Sequence, residues 1–295
     1  MVGHDNLGRR KRDAPESQGK KIRLTKRDLI WFEKLHQHGP LPSSILHDFT
    51  SQTHKSKQRA LNRLTDLFNE CDEDGRNYLI RPAQQFHRMD ARNKELVYDL
   101  GEAGTSALEE AGRISPREQR TSGAWWHQYL VSISTAQIEL ATLQRDDLNY
   151  IPQSRMLERA DVPLRFPTRH GDLIPDALFG LEYIMDGKPF YRFHAVEVDR
   201  ATEPISSKKQ SRKSLKKMFE QYNEWIGDGR YKEQLILTAP LLLLFITSTK
   251  ERMIAAMKVA KEFEGLPVFF GVRGVDEHCP EPFGFVDSCG NELGI

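Results

Sequence analysis

Ile174-Pro175-Asp176-Ala177-Leu178-Phe179, followed by His194-Ala195-Val196-Glu197-Val198-Asp199, is the stretch whose reading decides the fold. The first piece places an aspartate after a proline at the head of a hydrophobic run. The second alternates like a strand and carries two acids. Side chains in a strand repeat every two residues, so Glu197 and Asp199 share a face with Phe193 and Ala195. Carboxylates are depleted from strand interiors because their desolvation is costly, so two in one apolar strand need a reason. With Asp176 on the neighbouring strand, they would form a hard, oxygen-rich site suited to Mg²⁺ or Mn²⁺.

Working outward, residues 172–185 and 189–199 read as two strands joined by the Asp186-Gly187 turn, a hairpin signal. Upstream, residues 122–143 carry a helical stripe of Leu130, Ile133, Gln137, Leu140 and Ala141. A charged loop with Pro152, Pro163 and Pro167 separates that helix from the hairpin. Downstream, residues 204–217 hold Lys208, Lys209, Arg212, Lys213, Lys216 and Lys217 and no acid. A helix with Leu215, Met218, Phe219, Tyr222 and Ile226 on one face follows, stopped by Gly227-Asp228-Gly229. Residues 241–247 form a continuous apolar run, as in a buried strand. A helix over 251–263 and a strand over 267–272 complete an α-β-β-α-β-α-β order, an α/β sandwich around a mixed sheet. The tail from Gly274 reads as irregular, with an edge strand over 283–286.

The front of the chain is different. Residues 1–22, with Arg9-Arg10-Lys11-Arg12, read as a disordered basic arm. Thr25, with Asp28 three residues on, marks a helix start, and the apolar stripe ends near Gly39-Pro40. A short helix over 42–49 and a third over 53–69 follow, and then strands at 78–80 and 95–100 and a helix over 104–111. Three helices followed by a two-stranded ribbon are the order of a winged helix-turn-helix, an α+β module whose third helix enters the major groove. Lys55, Lys57, Gln58, Arg59 and Arg63 on that helix are the candidate DNA contacts. Gln58 and Arg59 can bond bases bidentately, and Lys55, Lys57 and Arg63 would set the salt dependence. The alternative is a solvated helix face. The boundaries are then an arm (1–22), a winged helix (23–113) and an α/β domain (114–295), with a polar linker over 114–120.

Composition agrees with a basic head on another body. The 295 residues carry +1, but residues 1–70 hold fourteen Lys/Arg and eight Asp/Glu, +6, leaving −5 for the rest. The partner expected is double-stranded DNA. A homodimer or a protein partner stays open, because no dimer seam is visible. Cys71, Cys279 and Cys289 are too few and too scattered for a disulfide framework, and with His278 they lack the close pair of a zinc site. The longest apolar run, residues 239–246, is too short for a bilayer, and the start has no signal-peptide core. The expectation is a soluble, cytoplasmic protein without membrane contact.

The order of helix, acid-bearing hairpin, helix and buried strand resembles the PD-(D/E)XK nuclease superfamily. There an Asp on one strand and a Glu-x-Lys on the next hold one or two metal ions that polarise the phosphate and activate water. Pro175-Asp176 matches the first half, and Glu197-Val198-Asp199 matches the second except at its last position. The chain resembles more closely the bacterial plasmid replication-relaxation family, whose members look like a winged helix followed by such a domain. The pieces that carry this are Val97-Tyr98-Asp99-Leu100 leading to Gly104, the helix from Trp125, Pro175-Asp176, and Val196 to Pro204, over roughly residues 24–272.

The resemblance implies metal ligation by Asp176, Glu197 and Asp199. Asp199 cannot replace the motif lysine, which would orient the water and offset phosphate charge. A lysine from the next helix could stand in, with Lys213 and Lys217 favoured over Lys209 and Lys216. Those lysines read equally as phosphate contacts. The acids read alternatively as strand-opening or ion-paired residues, with Arg192, Arg200 or the lysine cluster as partners. Glu139 is an auxiliary ligand candidate and Glu203 an exposed loop acid, His127 and His194 read as structural or groove-facing rather than catalytic, and the Trp125-Trp126 pair reads as core packing rather than a base-stacking platform. Two functions stand side by side: a metal-dependent DNA endonuclease of a plasmid, phage or mobile element, and a non-catalytic DNA-binding regulator of replication or transcription on a degenerate nuclease fold. A protein-interaction module within a larger complex is a third.

Overall fold

The computed structural model of the chain describes residues 12–87, 94–114, 124–200, 204, 214–273 and 284–293. The chain divides into two compact units, Met1–Pro116 and Arg117–Ile295. The described residues form nine α-helices and two sheets, a mixed α/β protein whose larger sheet has five strands.

In the first unit, helix α1 spans Lys26–His38. It begins at Thr25 because Thr25 and Asp28 satisfy each other's backbone N–H groups as a capping box. It ends where Gly39 takes a φ of 104°. Strand β1 (Leu41–Pro42) leads into α2 (Ser43–Asp48) and then α3 (Lys57–Asn69). Ser56, not an earlier residue, caps α3, its hydroxyl accepting from Arg59 N–H. That leaves His54 and Lys55 in the preceding loop, although the sequence pattern put them in the helix. Strands β2 (Leu79–Ile80) and β3 (Val97–Leu100) precede α4 (Glu102–Glu110). The sheet order is β1-β3-β2, so the expected two-stranded ribbon has a third strand too short to show a period. The core is built on Trp31, Phe32, Leu35, Ala60, Leu64 and Leu67, all 0% exposed.

Part of the expected arm is anchored. Glu16 N–H donates to Asn69, Ser17 and Gln18 donate to Glu70, and Lys20 pairs with Asp66 at 2.6 Å. The end of α3 therefore holds residues 16–20 in place. Residues 1–11 lie outside the described residues, as do 115–123, where the linker was expected.

In the second unit, α5 (Trp125–Thr142) is followed by β4 (Leu148–Pro152) and α6 (Gln153–Ala160). The sequence pattern read β4 and α6 as a charged loop. Both are short, and Pro152 sits at their junction, where it ends a strand and has no N–H to lose as the cap of a helix. Strands β5 (Ala177–Met185) and β6 (Lys188–Val198) form the expected hairpin. Asp186 and Gly187 turn it, both with positive φ, at 50° and 71°. Helix α7 (Leu215–Tyr222) runs into a π turn at Asn223–Gly227, and a short α8 (Tyr231–Gln234) follows. Strand β7 (Leu241–Thr247), helix α9 (Lys250–Ala260) and strand β8 (Val268–Val272) complete the unit.

The sheet order is β4-β5-β6-β7-β8. The first three strands are antiparallel, and β7 and β8 run parallel to β6, so the sheet is mixed as expected. All seven residues of β7 are buried, which accounts for its unbroken apolar run. One face of the sheet packs Leu178, Phe193, Ala195, Leu243 and Phe245 against Phe219 and Tyr222 of α7 and against α9. Val286, in the stretch read as an edge strand, forms an isolated antiparallel bridge with Phe270 of β8.

Candidate functional site

The period of β6 delivers its acids to one face. Phe193 and Ala195 enter the core beneath α7, and Glu197 and Asp199 continue that row. Glu197 meets Tyr222, the last residue of α7, whose phenol donates to Glu197 Oε1 at 2.6 Å. A hydroxyl donating to a carboxylate at this length is a strong, charge-assisted bond. Burial, with the Glu197 and then the Asp176 charge added, holds the Tyr222 phenol well above its usual range, so it stays a donor. Asp176 therefore lies within electrostatic reach of the same hydroxyl.

Asp176 precedes β5 and is anchored at both oxygens. Oδ2 accepts Val198 N–H at 2.8 Å, which ties the strand opening to the acid-bearing end of β6. Oδ1 lies 2.8 Å from Nε2 of His127, in the first turn of α5. His127, which the sequence reading set apart from the catalytic candidates, thus joins the acid end of the sheet.

Asp199 goes elsewhere. Arg252 of α9 donates Nε to Oδ2 at 2.7 Å and Nη2 to Oδ1 at 3.1 Å, and Thr247 Oγ1 donates to Oδ2 at 3.0 Å. Both carboxylate oxygens are occupied, and the two side chains are only 6% and 12% exposed. The ion pair foreseen for this acid exists with Arg252, a partner that the sequence did not suggest. Among the described residues, no three His, Cys, Asp or Glu side chains are grouped as a metal ion needs. Of the three acids expected to hold Mg²⁺ or Mn²⁺, the described residues thus bring two toward one hydroxyl. Asp176 and Glu197 come together, but the third carboxylate is committed to a guanidinium.

The other candidates are dispersed. Lys217 lies in the first turn of α7, partly buried and already engaged. Lys213, Lys209 and Glu203 fall outside the described residues, and Lys216 pairs with Glu262 at 2.7 Å. Glu139 is buried on α5. Trp125 stacks on Tyr129 at 5.3 Å, with Trp126 edge-on at 4.6 Å, an aromatic cluster at the start of α5. His194 is fully buried and stacked on Phe179 at 4.5 Å, with neither ring nitrogen hydrogen-bonded.

In the first unit, residues 52–59 are all exposed, and they include Lys55, Lys57, Gln58 and Arg59 around the start of α3. The side chains of Lys55, Lys57 and Arg59 form no hydrogen bond or ion pair with another described residue. Gln58 bonds along the helix to Asn62 at 2.9 Å. Opposite them, Ala60, Leu64, Leu67 and Phe68 face the core. Arg63 departs from this set. It turns inward, where it donates to both oxygens of fully buried Asp28 at 3.1 and 2.7 Å and to the Arg23 carbonyl at 2.8 Å. Its guanidinium closes the α1 capping box against α3, so the expected phosphate contact is a structural ion pair.

No described helix is long and apolar enough to cross a membrane. Comparison with the curated proteins and with the solved structures yields no match. The replication-relaxation family model matches residues 32–236, a span that runs from α1 through α8 and takes in both the α3 face and the acid-bearing hairpin. The chain belongs to the replication-relaxation family.

Proposed function

We propose that this chain is a DNA-binding protein of plasmid or mobile-element replication. In it a winged helix-turn-helix engages double-stranded DNA, and a PD-(D/E)XK-like unit serves as a regulatory body whose acids hold the fold. The order α1-β1-α2-α3-β2-β3 with sheet β1-β3-β2 supports the winged-helix reading. The exposed cations at the start of α3 support the DNA contact, because a helix N-terminus and unpaired cations both favour phosphate. The antiparallel β4-β5-β6 meander, with β7 returned parallel to β6 after α7, supports the nuclease-like reading.

The observation that carries the non-catalytic reading is the clamp of Arg252 on Asp199. A nuclease of this pattern places a lysine there, beside the scissile phosphate. Here the position holds an acid, and the guanidinium of Arg252 is paired with it. A metal-dependent endonuclease is the second reading, favoured by the approach of Asp176 and Glu197 to one phenol.

Incubation of supercoiled plasmid with Mg²⁺ or Mn²⁺, alongside DNA-binding measurements on the same preparations, separates them. The expected result is salt-sensitive binding with no cutting. Metal-dependent cutting that is lost in both Asp176→Ala and Glu197→Ala, with binding retained, would overturn the regulator reading. Failure to bind any duplex would instead point to a protein-interaction module.

A further inference from the structure

At the opposite end of β6 from the acids lies a cleft of about 670 Å³, lined by β4, α6, the start of β6 and residues 237–239 ahead of β7. This is the size range of small-ligand sites. Its floor is apolar, with Met156, Phe193 and Leu237. Gly180 makes that floor possible, since a Cβ there would meet the Phe193 ring at 2.7 Å. One wall is Tyr191, 41% exposed and parallel to Phe193 within 8° at a centroid distance of 6.5 Å. Glu182 accepts the Tyr191 hydroxyl at 2.8 Å, so the ring is oriented before any ligand arrives.

The opposite wall is α6, with Arg155 and Arg159 one turn apart on the same side. Both are exposed, and neither side chain forms a hydrogen bond or ion pair with a described residue. The acids nearby are already occupied: Glu182 holds Asn149 and Tyr191, and Glu158 is itself engaged. The loop that closes the cleft is strained. Ile236, a β-branched residue, holds a φ of 52° immediately before Leu237. Conformations of this kind collect at ligand clamps.

We propose that this cleft binds a nucleoside phosphate, with the base stacked on Tyr191 and the phosphate held between Arg155 and Arg159. Two guanidiniums one turn apart suit a phosphate, whose oxygens accept paired N–H donors. An exposed, pre-oriented ring over an apolar floor suits a base, and base–aromatic stacking tolerates any sequence. The phosphate could belong to a free nucleotide or to the 5′ end of a single strand. This site uses no residue of the α3 face or of the acid end of the sheet, and it stands or falls without them.

Calorimetric titration of the full chain tests it, with dAMP, deoxyadenosine and inorganic phosphate as probes. dAMP is expected to bind at least about tenfold tighter than either fragment. The Arg155→Gln, Arg159→Gln double variant should weaken dAMP about tenfold, and Tyr191→Leu should bring dAMP to the level of phosphate. All three positions are exposed, and unchanged circular dichroism checks that the fold is kept. Competition with dAMP by a 5′-phosphorylated single-stranded oligonucleotide, but not by its 5′-hydroxyl counterpart, assigns the strand end. Binding of dAMP alone assigns the free nucleotide. Absence of dAMP binding, affinity no better than phosphate, or affinity unchanged in both variants would overturn the proposal.

Discussion

Arg252 grips both carboxylate oxygens of Asp199 across 53 residues of chain and joins the start of α9 to the end of β6. Both partners are largely buried. Removing one leaves the other as an uncompensated buried charge, which typically costs several kcal/mol, whereas replacing both by apolar groups can be nearly neutral. Asp199→Ala should therefore lower the unfolding free energy by about 3 kcal/mol. The double variant Asp199→Leu, Arg252→Met should recover most of that. Urea unfolding at pH 7 measures both, and a loss below about 1 kcal/mol in Asp199→Ala would show the clamp to be energetically idle.

His194 provides a pH dependence of known sign. Burial first, and then the Arg192 charge, lowers its pKa from 6.5 to about 3, so the folded chain holds it neutral. Between those values the unfolded chain binds the extra proton. The contribution is complete above pH 6.5 and is lost as pH falls toward 3, with a slope approaching about 1.4 kcal/mol per pH unit. His194→Phe keeps a flat ring against Phe179 and removes the titration. Its stability should fall less steeply between pH 7 and pH 4.5 than that of the wild type. Parallel curves for the two proteins would refute the assignment.

Neighbouring cations of α3 should separate by function. Lys57→Ala and Arg59→Ala are expected to weaken DNA binding and each to reduce the salt slope by about one, with stability unchanged. Arg63→Ala is expected to do the reverse, because it strands fully buried Asp28, at a stability cost of about 3 kcal/mol. Fluorescence anisotropy across a salt series and denaturant unfolding distinguish the two patterns. A stable Arg63→Ala with a lowered salt slope would return Arg63 to the DNA-binding set.

Gly180 is required by a neighbour and not by its own backbone. Its Cβ would meet Phe193 at 2.7 Å and Ile151 Cβ at 3.2 Å. Larger side chains there should destabilise progressively, with Gly180→Val costing about 2 kcal/mol against wild type. A thermal melt of the Gly, Ala and Val series checks the order, and a flat series would mean that Phe193 is free to move.

Much of this protein is determined by its sequence alone, because the deciding forces are local. Thr25 and Asp28 start α1 by capping groups that lie within one turn. Asp186-Gly187 turns the hairpin because both residues tolerate positive φ. The period of two along β6 places Glu197 and Asp199 on the face of Phe193 and Ala195, and the unbroken apolar run of β7 announces burial on both faces. Family membership was also legible, in short motifs around Asp176 and Glu197. The third strand of the small sheet, together with β4 and α6, was hidden by shortness and by prolines at their ends.

Only the tertiary structure decided what the charged groups do. Asp199 continues the row of Glu197 just past the end of β6, yet one is neutralised by Arg252 and the other accepts from Tyr222. Arg59 and Arg63 share a helix and a charge, yet one faces solvent and the other closes on Asp28. A long polar side chain makes its bond with whichever partner the crossovers bring within about 3 Å, and a buried charge is stable only with such a partner. Local sequence sets which face a residue occupies. The packing of α7 and α9 over the sheet, and the approach of Arg63 on α3 to Asp28 on α1, set what it meets there.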